Sequence, residues 1–317
     1  MTLIPNWTQK VLPINQIENQ SLINRKISLA LLAYAAGDAL GVQYEFIKEK
    51  PKVSTLSIQP KDGWPFGGVS DDTLLSLITI SCLEEKNPEV AAKLFLERLR
   101  LSIPKLRGLG PTTRSALGLP VSEAEVGQVG NTNGAMMRTA LCGIAFLPSE
   151  SSIRNEWIMH SASSTHMNQN AVYSALLLSG IFSNLAVENL STDIDIYDVA
   201  KQTFIVLKSI PEELKSAIIN LDKWSPPDTG ITLDPIETLL AVLWVAKGAR
   251  SFQDVYIRAC ELGGDTDTVA ALSAALYAVK TGDFDEFLEM EWLSDIQWDE
   301  VGNLESQIKL ITENRGI

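Results

Sequence analysis

Residues Gly263-Gly264-Asp265-Thr266-Asp267-Thr268 run straight into VAALSAALYAVK over 269–280. The second part is made of good helix formers with apolar residues at helical spacing, and the first breaks the chain at a glycine pair. The reading is a buried helix that opens on two carboxylates and two hydroxyls. The same period of i, i+3, i+4 and i+7 recurs over 27–46, 73–84, 90–101, 171–187 and 236–249. In the first of these, Ile27, Leu31, Tyr34, Ala35 and Ala39 carry it. β-alternation is scarce; Val53–Ile58 reads equally as a short strand or a loop. The fold class is therefore all-α. Loops are expected at Pro60–Gly68, Arg107–Thr113, Gly127–Gly134 and Trp224–Gly230. No linker or internal repeat divides the chain. One helical domain is expected over 21–317, behind an N-terminal extension of 1–20. The acidic stretch 283–305 is amphipathic through Phe284, Phe287, Leu288 and Trp292 and is expected to dock on the body.

Composition narrows the function classes. The chain has 317 residues, 45% of them apolar, and a mean hydropathy of +0.08, as an ordered globular protein does. Its net charge of −13, with no basic block, argues against nucleic acid and anionic lipid as electrostatic partners. Cys82, Cys142 and Cys260 are isolated in apolar runs and read as buried thiols. Residues 1–19 lack a cationic segment followed by an apolar one, so no signal peptide is read. The longest apolar runs are broken by Asp38, by Ser174 and Ser179, or by Lys247, which marks them as core helices and not membrane spans. A cytoplasmic monomer is expected.

Small residues recur one turn apart, at Gly37 and Gly41 and at Ala271 and Ala275. A glycine inside a helix costs about 1 kcal/mol relative to alanine. A partner helix or a ligand close to that backbone would offset the cost.

A second acidic cluster, Ser70-Asp71-Asp72-Thr73, also opens a helical run. Either cluster alone is also an ordinary helix cap. Asp38, Gly41 and Glu45 share one face if the helix continues to 46. Buried carboxylates without partners are costly or become protonated. Four aspartates in one pocket repel one another, and two divalent cations would balance Asp71, Asp72, Asp265 and Asp267. With no Cys or His cluster, oxygen ligands favour Mg²⁺, Mn²⁺ or Ca²⁺ over zinc. Arg138 is expected to pair with a buried acid, and Met136 and Met137 to form pocket wall.

These blocks resemble the ADP-ribosylglycohydrolase family, the group that includes the dinitrogenase-reductase-activating glycohydrolases. The matching segments are Gly37–Gly41 with Glu45, Ser70–Thr73, Gly108–Thr113, Asn133–Arg138, Thr165-His166 and Gly263–Thr268, in family order over about 27–280. The resemblance implies a compact all-helical domain with a central cleft holding two Mg²⁺ or Mn²⁺ ions. It implies hydrolysis of the bond joining ADP-ribose to an acceptor, here an ADP-ribosylated protein.

By position, Ser70, Asp71, Asp72, Asp265, Asp267 and Thr268 resemble the metal ligands. Glu45 stands at the place of the catalytic or gating glutamate. Asp38, Gly108, Gly110, Asn133, Gly134, Met136 and His166 fall at substrate-pocket positions. Thr266 is expected to support the turn. Ser70 replaces the more usual threonine, the loop Gly130–Gly134 is longer than the common form, and Ser273 and Tyr277 stand where glycines are frequent. These departures leave the metal set intact and bear on the acceptor. A silent ADP-ribose-binding member, or a hydrolase of a small ester or a modified nucleic acid, are the alternative readings.

Overall fold

The computed structural model describes residues 4–12, 21–188 and 193–316. These residues form α-helices and short 3₁₀ turns with no strand; one isolated bridge joins Ile231 to Gly264. The helices used below are α1 (Leu22–Gly41), α2 (Asp71–Ser81), α3 (Pro88–Ser102), α4 (Pro111–Ala116), α5 (Gly134–Thr139), α6 (Ser151–Ser163), α7 (Gln169–Leu185), α8 (Pro235–Gly248), α9 (Phe252–Leu262), α10 (Thr266–Thr281) and α11 (Glu305–Arg315).

The core is a pair of apolar helices lying backbone against backbone. Every residue of α1 from Lys26 to Gly41 is buried, as is every residue of α10 from Thr266 to Val279. The two glycines of α1 explain the approach. A Cβ on Gly37 would stand 2.5 Å from the Ala270 carbonyl carbon, and one on Gly41 2.6 Å from the Asp267 nitrogen. The partner helix supplies Ala270 and Ala271 at the crossing, and Thr266 Oγ1 donates to the Gly41 carbonyl at 2.8 Å. Tight packing of α10 thus accounts for the glycine spacing, and the Thr266 hydroxyl ties the motif to α1. With its following turn, α1 (Leu22–Tyr44) is the one stretch among the described residues long and apolar enough to cross a membrane, and most of it is buried in the core.

Around this pair, α7 lies over the 3₁₀ turn Ala140–Ala145, with Gly143 against the Ser179 backbone. The carbonyls that α7 leaves open at its C-terminus are met by two buried cations. Lys26 Nζ donates to the carbonyls of Leu185 (3.3 Å) and Val187 (3.0 Å); Arg315 donates to those of Ile144, Phe146 and Ala186. Cations suit that end of a helix. The acidic stretch after α10 docks as expected, burying Phe284, Phe287, Leu288 and Trp292. The described part of the N-terminal extension packs on this stretch: Trp7 stacks on Trp298 with ring centroids 4.4 Å apart, and Leu304 N–H donates to the Val11 carbonyl at 2.9 Å. Residues 1–3 and 13–20 of that extension lie outside the described residues.

One local expectation changes and one open reading is decided. The helix expected over 27–46 stops at Gly41; Val42–Tyr44 is a 3₁₀ turn and Glu45 is extended, so Glu45 does not continue the face of Asp38 and Gly41. Val53–Ile58 is a loop that anchors through Val53, Leu56 and Ile58. All three cysteines are free and buried, and burial pushes the Cys142 and Cys260 thiols far up.

Candidate metal centre and active site

The start of α2 is built from α1. Ser70 caps the helix, its Oγ accepting the Asp72 N–H at 3.0 Å. From α1, the Asp38 carboxylate accepts N–H bonds from Ser70 at 3.0 and 3.1 Å and from Thr73 at 3.0 Å, and the Thr73 hydroxyl at 2.5 Å. Asp38 is wholly buried and used up by these bonds. It therefore holds the start of α2 in place from behind, and it is not among the residues that line the cleft described below. Asp71 N–H donates to the Arg107 carbonyl at 2.8 Å. This draws in the next residue, Gly108, whose φ of +88° and whose Cβ position 2.8 Å from Asp71 Oδ1 both require glycine.

The start of α10 is set by the glycine pair. Gly263 (φ +67°) and Gly264 (φ +76°) turn the chain from α9 into α10 in left-handed conformations that other residues resist. Their backbone is clasped on two sides. Ile231 N–H donates to the Gly263 carbonyl (2.9 Å) and Asp265 N–H to the Ile231 carbonyl (2.8 Å). Phe46 N–H donates to the Gly264 carbonyl (2.8 Å). The last bond fixes the position next to Glu45 against the position next to Asp265. Asp265 is the helix cap residue by place, yet its side chain makes no capping bond; Asn133 Nδ2 donates to its Oδ2 instead.

The two helix starts and Glu45 line one cleft of about 50 Å³, with Gly108, Gly110, Thr113, Thr132, Asn133, Gly134, Met137, Leu233 and Thr268. That is room for a few water-sized ligands and no more. Carboxylate oxygens of Glu45, Asp265 and Asp267 lie within 4.8 Å of one another, and Asp71 and Asp72 line the same cleft. A larger cavity of about 430 Å³, lined by Glu286, Glu289, Glu291 and Trp292 among others, lies outside this acidic convergence.

The electrostatics of the cleft suit a cation. Burial, and then the neighbouring carboxylates, hold Asp71, Asp72 and Asp267 well above the usual carboxylate range. Burial raises Asp265 to about 6; bonds from Asp267, Asn133 and Thr268 restrain it against the push from Glu45. Asp72 Oδ2 and Asp267 Oδ1 are buried and have no hydrogen-bond partner. Crowded acids with orphaned acceptors are the arrangement a hard divalent cation relieves. An oxygen-only donor set fits Mg²⁺ or Mn²⁺.

A family model, ADP-ribosylglycohydrolase, matches residues 19–316. The chain belongs to the ADP-ribosylglycohydrolase family. A solved structure described as an ADP-ribosylglycohydrolase-related protein complex superposes with a TM-score of 0.68 at 22% identity, covering 93% of this chain and 99% of that one. It shares the fold. No curated protein sequence matches the chain.

Set on this family fold, the residues singled out in the sequence divide into those on the cleft wall and those behind it. Glu45, Asp71, Asp72, Asp265, Asp267, Thr268, Gly108, Gly110, Asn133 and Gly134 line the cleft. Ser70 is buried as the helix cap beside Asp71 and is not among the lining residues. Met136 does not line it: it is wholly buried in the core, and Met137, the next residue on α5, faces the cleft. His166 is also wholly buried. Its Nε2 meets Thr132 Oγ1 at 2.9 Å and its Nδ1 meets Thr165 Oγ1 at 2.8 Å, so it braces Thr132 and underlies Gly134. Burial, with the Arg138 charge, lowers it to about 3. Among the described residues Arg138 pairs with no acid; it donates to the Ser161 carbonyl (2.7 Å) and Thr165 Oγ1 (2.9 Å) and stacks over Phe95. Sequence reading missed Lys61, whose Nζ meets Glu45 Oε2 at 3.0 Å, and Thr238, which shares the Asn133 amide at 2.9 Å. Lys61 sits in a loop flagged only by its glycine and prolines, and Thr238 in an ordinary apolar helix, so neither carried a local signal.

Proposed function

We infer that the chain is a metal-dependent hydrolase that removes ADP-ribose from a modified protein side chain. The observation that carries this reading is the convergence of Glu45, Asp265 and Asp267 with Asp71 and Asp72 in one cleft. Asp71, Asp72, Asp265, Asp267 and Thr268 would hold two Mg²⁺ or Mn²⁺ ions, with Ser70 as the helix cap beside Asp71. When bound, such ions supply neutralising charge and coordination for sugar hydroxyls.

The residues of the chain divide the remaining work. Cleavage of a ribosyl bond builds positive charge at the anomeric carbon and needs a proton moved to or from the leaving group or water. Glu45 is the cleft acid with solvent access: its side chain is 27% exposed, whereas the four aspartates are 2–5% exposed. It therefore serves as general acid/base. Gly108 and Gly110 let the sugar-phosphate chain pass close to backbone, and Met137 and Leu233 close the wall against water. The cleft admits only the reacting ribose edge, so the rest of an ADP-ribosyl group would lie outside it.

The test is release of ADP-ribose from a panel of ADP-ribosylated acceptors with and without Mn²⁺. Release should require the metal and should fall about 10²–10⁴-fold in Glu45→Gln, the range for a lost acid/base group. Asp267→Ala should abolish it together with metal binding. Unchanged turnover in both variants would remove the assignment.

A further inference from the structure

Among the described residues, Lys61 is the one cation in contact with an acid of the cleft. Its Nζ donates to Glu45 Oε2 at 3.0 Å and to the Val42 carbonyl at 2.6 Å, and stands 5.5 Å from the Trp64 ring centre. The segment carrying it is pinned to the turn after α1. Gln43 Nε2 donates to the Ser57 carbonyl at 2.9 Å, and Gln59 N–H donates back to Gln43 Oε1. Beyond Lys61, Trp64 is fixed by its Nε1 bond to the Gly68 carbonyl at 3.1 Å. This is a held ammonium, with two of its three donors used.

Its place decides what the acceptor side of the cleft meets. The aspartates are buried; Glu45 is the part-exposed acid of the cleft, and Lys61 is bonded to its Oε2. The chain leaving Glu45 is exposed at Phe46 and Ile47 and carries Lys48, Lys50 and Lys52 against Glu49. In a protein of net charge −13, this segment is apolar and locally positive. A guanidinium or ammonium leaving group would have to displace Lys61 or lie beside it, and like charges so placed are disfavoured. A hydroxyl-linked acceptor carries no such charge and can take the third donor of Lys61.

The geometry points to Lys61 as the determinant of acceptor class, excluding cationic acceptors and admitting uncharged, oxygen-linked ones. This rests on the reading of the cleft as the hydrolytic site.

The test uses one peptide carrying ADP-ribose either on a guanidinium or on a hydroxyl side chain. For wild type, Lys61→Met, Lys61→Gln and Lys61→Arg, it measures kcat/KM for release with Mn²⁺ and calorimetric affinity for each intact conjugate. Wild type should favour the hydroxyl conjugate; Lys61→Met and Lys61→Gln should shift the ratio toward the guanidinium conjugate by about tenfold or more, and Lys61→Arg should keep it. Wild-type preference for the guanidinium conjugate overturns the proposal. So does an unchanged ratio in whichever neutral variant keeps the wild-type Tm. If neither conjugate is hydrolysed, the hydrolase reading fails, and the affinity ratio alone decides the role of Lys61 by the same criterion.

Discussion

The side-chain amide of Asn133 donates to Oδ2 of Asp265, a residue 132 positions further along the chain. The same amide nitrogen donates to Thr238 Oγ1 at 2.9 Å, and the Asn133 main chain is tied to the Leu233 carbonyl at 2.9 Å. A cleft acid is thus aimed by a neighbour that is itself held twice. Partners of this kind typically change metal affinity 10–100-fold when removed. Asn133→Ala should weaken Mn²⁺ binding by about tenfold or more, read by calorimetry or by the free Mn²⁺ signal in electron paramagnetic resonance. Unaltered affinity in a folded variant would show that Asp265 needs no support.

The α1–α10 contact makes a stability prediction. A methyl group at Gly37 or Gly41 meets backbone atoms within 2.6 Å, and backbone cannot swing aside. Gly41→Ala should cost about 2–3 kcal/mol or more, as overpacking of a tight core does, and should also displace Asp267. Gly37→Ala should cost a similar amount while leaving the acids in place. Urea denaturation compared with Mn²⁺ affinity separates the two; equal affinity in both variants contradicts this geometry.

The buried acids predict how stability depends on pH and metal. Burial raises Asp265 from 3.8 to about 6 in the folded state, so the folded protein binds more protons than the unfolded chain between those values. Stability therefore falls as pH rises through that window, by on the order of 3 kcal/mol for Asp265 alone. The metal-free protein should have a higher Tm at pH 5 than at pH 8, and Mn²⁺ should restore the loss at pH 8. Asp265→Asn should flatten part of the metal-free profile. An identical slope in that variant counts against this account of the cleft.

His166 predicts the opposite slope. Its folded-state value near 3 lies below 6.5, so the unfolded chain binds the extra proton between those values. The contribution of this residue is fully present above 6.5 and is lost as pH falls toward 3. Nitrogen-15 chemical shifts should show a neutral ring throughout pH 5–8. A titration midpoint near 6.5 would contradict its burial between Thr132 and Thr165.

Much of this was legible in the sequence where local rules suffice. The apolar period marked α1, α2, α3, α7, α8 and α10 because each buries a continuous face. Helices such as α6 and α9 were passed over, since Arg154, Asn155 and Glu156 or Arg258 and Glu261 interrupt their patterns. The carboxylates announced themselves because two acidic clusters at helix starts, with Asp38 and Glu45 in apolar surroundings, are more than helix capping needs. Direction was not legible. Whether Met136 or Met137 faces the cleft depends on how the short helix α5 sits on α7. Whether Asp38 lines the cleft depends on α2 starting against it. The 3₁₀ turn at Val42–Tyr44 moved Glu45 off a helical face, and nothing local foretold it. Lys61 was invisible because its meaning comes wholly from the residue it meets.

The clasp at Gly263 and Gly264 has a consequence for how this protein can vary. It joins the backbone beside Glu45 and the backbone at Ile231 to the start of α10, all through main-chain bonds that ask nothing of side chains except the glycines. The chain that leaves it, over 47–56 and over 220–229, makes none of these main-chain bonds. Such segments can lengthen, shorten or change charge while the acids stay in register. The cleft behaves as a fixed chuck, and the surrounding loops as interchangeable jaws that select what is brought to it.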